Sequence, residues 1–147
     1  MSAQHHRRWY WLQALLLGLP ALVAGGGLGA VVVFTFFTRR QYMGASEGAV
    51  LLMWSVAGLL GLAAWLWLSA AYLRGGRERL RRVPAVAWFG LALGMLAALG
   101  VALFIGHAAL TGGSWPVLGY LVVGPPLLIP SAHLAWLARP PRRQEQT

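Results

Sequence analysis

Four long apolar runs, residues 9–37, 49–73, 84–110 and 116–138, take up most of this 147-residue chain. Each exceeds the roughly 20 residues that a helix needs to cross the hydrocarbon core of a bilayer. The runs are apolar all round, whereas the helices of a soluble bundle carry a polar stripe. With 59% hydrophobic and only 10% charged residues, the composition departs from that of a soluble domain of this length. The pattern predicts an all-α membrane protein, a bundle of four transmembrane helices. One domain is expected over residues 1–138, followed by a short polar, Pro-rich tail over 139–147.

Charge gives the orientation. The twelve basic residues are all arginines. Arg7 and Arg8, then Arg74, Arg77, Arg79, Arg81 and Arg82, then Arg139, Arg142 and Arg143 fall on one side of the predicted bundle. Only Arg39 and Arg40 fall on the other, where snorkelling to headgroups accounts for them. The positive-inside rule then predicts that both termini and the 74–83 connection are cytoplasmic. The net charge of +9 is spent at helix ends, so no nucleic-acid partner is expected. The bilayer itself is the expected partner, and the arginines of the 74–82 run are expected to be topology or lipid anchors. Lys, Asp, Asn and Cys are absent, a bias that fits a GC-rich bacterial genome and hence an inner-membrane, multi-pass location. The apolar run from Trp9 continues well past a signal-peptide h-region, so an uncleaved first helix is expected.

Local signals mark the helix ends. Trp9, Tyr10 and Trp11 suit the headgroup level at the start of the first helix. Ser46 and Glu47 suit the cap and first turn of the second. Pro84 and Pro116 suit the first turns of the third and fourth. Gly90, Gly94, Ala98, Ala102 and Gly106 repeat at i, i+4 along the third helix and predict a helix-packing face. In the fourth, Pro125, Pro126 and Pro130 remove N–H donors, freeing the carbonyls of Leu121, Val122 and Pro126. Tyr120, Ser131 and His133 are the polar side chains nearby, and together these six residues form a candidate intramembrane polar site.

Several chemistries are disfavoured. No acidic residue lies inside a span; Glu47, Glu78 and Glu145 stand at helix ends or in loops. The chain resembles small four-helix multidrug antiporters in size, but its first helix offers Gln13, Thr35 and Thr38 and no glutamate. Gly26-Gly27-Leu28-Gly29-Ala30 resembles the glycine-rich opening of four-helix fluoride channels, whose required Asn has no counterpart here. His107 and His133 both lie toward the C-terminal ends of helices expected to run in opposite directions, which sets them too far apart in depth to share one haem or metal. No nucleophile–base or phosphate-loop motif occurs. The expectation is therefore a non-enzymatic protein without cofactor or metal. Its expected role is that of an accessory, scaffold or partner-binding subunit, touching another membrane protein or itself as a homo-oligomer through helix–helix contacts. The alternative is a small oligomeric channel or transporter with the Pro-broken fourth helix lining the path.

Overall fold

In the computed structural model the described residues are 9–38, 45–111 and 125–138, and they are helical almost throughout. Helix α1 spans Trp9–Thr38, with one π-helical stretch at Ala14–Gly18. Helix α2 spans Ala45–Arg81, and α3 spans Ala85–Leu110. A 3-10 turn at Pro125–Leu127 leads into α4, Leu128–Ala138. Tyr120, Pro116, Arg39, Arg40 and the 139–147 tail lie outside the described residues.

Three of these helices, α1 to α3, are long and apolar enough to cross a membrane. The most apolar windows of α1, α2 and α3 have 11%, 17% and 22% of their residues buried inside the protein. The rest of each window is half-buried or exposed, an apolar surface consistent with a membrane protein. Val23, Phe34, Met53, Phe89, Leu96 and Phe104 are among the large side chains turned outward. Helix α4 has 11 residues, about 16 Å at the α-helical rise, and does not by itself reach across. The expected span 116–138 is thus described only in its last part.

The second helix runs further than its apolar pattern predicts. Residues 74–81, expected as a connection, continue α2 as helix after a sharp break at Gly76, whose φ of 66° and ψ of −157° belong to glycine. The short piece beyond this break buries Leu80 completely and directs its arginines to different sides. Pro84 caps α3 rather than entering it, with a ψ of 147° that turns the chain into the helix. Ser46 sits inside α2 rather than before it, because the helix begins at Ala45.

The contact between α2 and α3 is the most extensive between helices, and glycine makes it close. A Cβ on Gly61 would strike the Cα of Gly94, and the reverse holds equally. A Cβ on Gly90 would come 3.1 Å from that of Ala64. Nearer the far end of the pair, the Trp54 ring lies over Gly100 and its indole N–H donates to the carbonyl of Ala97 at 3.1 Å. Without a hydrophobic driving force between helices in lipid, such close packing and interhelical hydrogen bonds hold the pair together. At the opposite end, Trp65, Leu68, Tyr72, Leu80, Ala87, Leu91, Leu134 and Leu137 form a buried core with Tyr10.

Candidate functional site

One group of polar side chains gathers at the basic end of the bundle, where α1 begins, α2 approaches its Gly76 break and α4 finishes. Tyr10 and Gln13 stand three residues apart on α1 and so share a face. Trp65, Ser69 and Tyr72 do the same on α2. His133 and Trp136 do so on α4. The Tyr10 and Ser69 hydroxyls share a hydrogen bond of 2.5 Å, and both residues are buried. His133 Nδ1 and Gln13 Oε1 share a hydrogen bond of 2.7 Å, formed in the tautomer that carries the imidazole proton on Nδ1. The Tyr10 ring meets Tyr72 edge-on at 5.1 Å and His133 edge-on at 5.8 Å. Trp136 stacks obliquely on His133, and Arg77 lies over the Trp136 ring at 5.6 Å.

The first helix adapts locally to this arrangement. Its π-helical stretch Ala14–Gly18 follows directly after Gln13. A π turn holds an extra residue per turn and re-aims the side chains on either side of it. At its end, Gly18 leaves the space that the Trp65 ring occupies, since a Cβ there would overlap the ring. The Trp65 indole N–H lies near the Tyr10 hydroxyl without making a well-formed hydrogen bond to it.

Chemically the cluster comprises two phenols, one amide, one hydroxyl, one imidazole and two indoles. It can pin three helices together by hydrogen bonds whose loss in an apolar setting is costly. It offers no carboxylate, and no group of three metal-ligating side chains occurs among the described residues.

The sequence candidates fall in several places. His133 faces the bundle and joins the cluster. Pro130 and Ser131 are fully buried. Pro125 and Pro126 occupy the 3-10 turn before α4, half-buried, where lost N–H donors matter least. Pro130 alone lies inside the helix, so the carbonyl of Pro126 is the one whose N–H partner is missing within the described residues. The Ser131 hydroxyl has no hydrogen-bond partner among the described residues. It lines a cavity of about 10 Å³ with Gly61, Gly94, Ala98 and Leu127, room for roughly one water. A larger cavity of about 170 Å³, lined largely by apolar residues and by Gly25, Gly29 and Gly58, lies between α1, α2 and α3.

On α3, Gly90 and Gly94 meet α2, and Ala98 is buried beside Ser131. Ala102 is half-buried, and a Cβ on Gly106 would meet nothing within 4 Å. The physical reason is rotation. Four residues turn a helix through about 400°, so each i, i+4 step advances the stripe by about 40° and four steps carry it about 160°, nearly to the opposite side. His107 is exposed at the end of α3, away from His133.

Sequence reading missed Tyr10 as an inward residue, having grouped it with its neighbours. Trp9 and Trp11 are indeed 55% and 53% exposed, whereas Tyr10 is 0% exposed. The usable signal was the i, i+3 spacing of Tyr10 with Gln13 and of Ser69 with Tyr72, polar pairs inside otherwise apolar helices. Comparison of the chain with protein-family models, curated proteins and solved structures finds no match.

Proposed function

We propose that this chain is a small multi-pass protein of a bacterial inner membrane, with both termini and the 74–83 segment in the cytoplasm. We further propose that it is a non-enzymatic accessory, scaffold or partner-binding subunit that acts through helix–helix contacts. The carrying observation is how the polar side chains are used. The hydrogen bonds of Tyr10, Gln13, Ser69 and His133 run from helix to helix inside the chain. The outward face of the apolar helices is left to aliphatic and aromatic side chains, a surface suited to lipid and to the apolar flank of another span. Support for the alternative, a channel along α4, is weaker. Pro130 and Ser131 face packed protein, and the space beside Ser131 is near the size of one water.

The test is the mass of the protein extracted from its own membrane into polymer-bounded discs. A discrete complex heavier than the 15.9 kDa chain supports the proposal. A homo-oligomer whose liposome flux is abolished by His133→Ala transfers the function to the channel reading, and a solitary chain without flux overturns both.

A further inference from the structure

The five arginines of the 74–82 run do not share one environment. Two of them turn toward α4: Arg77 covers the Trp136 ring, and the Arg81 Nε donates to the Ala138 carbonyl at 3.3 Å. Arg79 and Arg82 turn the other way, into an open cleft of about 570 Å³ between the end of α2 and the start of α3. Glu78 stands beside them and pairs with Arg82 at 2.5 Å, an exposed i, i+4 bridge that leaves the cleft net positive.

The walls of this cleft are graded. Trp67, Ala71 and Gly75 follow one another at i, i+4 down the face of α2, and Val83 and Pro84 close the opposite side. The lining therefore passes from the exposed Trp67 and the largely buried Ala71 within the apolar span to guanidinium at its end, over about 12 Å from Trp67 to Gly75. Gly75 is the hinge of this surface. A Cβ there would run into the Arg79 side chain, so the missing side chain is what lets Arg79 fold back over the helix into the cleft.

We propose that the cleft is a binding site for one anionic phospholipid, its phosphodiester between Arg79 and Arg82 and an acyl chain along Ala71 and Trp67. A guanidinium donates to phosphate oxygens through a planar fork, which suits Arg for this task. The single negative charge of a phosphatidylglycerol headgroup matches the net charge of the cleft. The inference depends on the chain lying in a bilayer and not on the partner-binding role, so the two fail separately.

The experiment counts lipids retained by the whole protein in native mass spectrometry, after reconstitution in equal phosphatidylglycerol and phosphatidylcholine. The wild type is expected to keep phosphatidylglycerol selectively. Arg79→Gln with Arg82→Gln is expected to cut that preference about tenfold, while Arg77→Gln with Arg81→Gln leaves it in place. Gly75→Leu keeps every charge but blocks the cleft, and is expected to lose the lipid with unchanged helicity by circular dichroism. Glycerol phosphate without acyl chains is expected not to displace the lipid. Equal losses in the two arginine pairs would reduce the effect to a diffuse basic surface and overturn the site. So would full retention by Gly75→Leu, displacement by glycerol phosphate, or preference for an acidic peptide over the lipid.

Discussion

The His133 imidazole and the Gln13 amide, 120 positions apart in the chain, are joined by a 2.7 Å hydrogen bond that fastens the last described helix to the first. Both belong to a cluster built where α1 begins, α2 nears its Gly76 break and α4 finishes. In water such a bond would add little, because each group would find solvent instead. Inside an apolar bundle the alternative is an unsatisfied amide or ring nitrogen, so the pair also specifies which faces of α1 and α4 must meet.

That pair gives a first prediction. Gln13→Leu or His133→Leu, each leaving the other group without this partner, should destabilise the bundle by about 1–2 kcal/mol. The double Leu variant should recover part of the loss. A double-mutant cycle on unfolding in bicelles measures the coupling, and strictly additive effects would show that the two side chains do not cooperate.

Two glycines on α3 should respond oppositely to the same change. Gly94→Ala forces a methyl against the Gly61 backbone and should cost about 1–3 kcal/mol. Gly106→Ala adds a methyl where nothing lies within 4 Å, and should be neutral or stabilising by up to about 1 kcal/mol. Thermal unfolding in detergent separates them. Equal destabilisation would mean that the whole stripe is packed.

Ser131→Ala should be tolerated or slightly stabilising, by about 1 kcal/mol, because it removes a buried hydroxyl without a described partner. Ser131→Val, adding bulk beside a cavity of about 10 Å³, should destabilise. The same melting assay reads both. A clear loss of stability in Ser131→Ala would reveal a hydrogen bond or ordered water that the hydroxyl serves.

Reporter fusions test the orientation. Junctions after residues 78 and 147 should report cytoplasm, and junctions after 44 and 113 the opposite side, as the distribution of arginines requires. The reverse pattern would withdraw the proposed topology.

The long helices were legible in the sequence because length and unbroken apolarity leave a chain in hydrocarbon few other ways to satisfy its backbone. Their ends were less so. Gly75-Gly76 reads as a loop signal, yet one glycine with positive φ redirects α2 without ending it, since Leu80 beyond it reaches the core. Tyr10 was hidden by its neighbours: three aromatics in a row look alike by composition, and only the packing of α2 and α4 turns the middle one inward. The α3 stripe was legible as small residues but not in extent, because spacing by four does not return to the same side of a 3.6-residue helix. Ser69 and Tyr72 stand out in the sequence as a polar pair at i, i+3, but their pairing with Tyr10 follows only once α1 and α2 are laid side by side.

The π-helical stretch in α1 carries a bookkeeping consequence for the whole chain. One surplus residue between Gln13 and Leu19 puts the two halves of that helix out of phase by about 100°, so each half answers to its own neighbours. A homologue lacking the surplus would be one residue shorter there while keeping its tyrosine and its glycine run in place. Aligning such chains without a gap at that point would rotate one half of the helix onto the wrong partners.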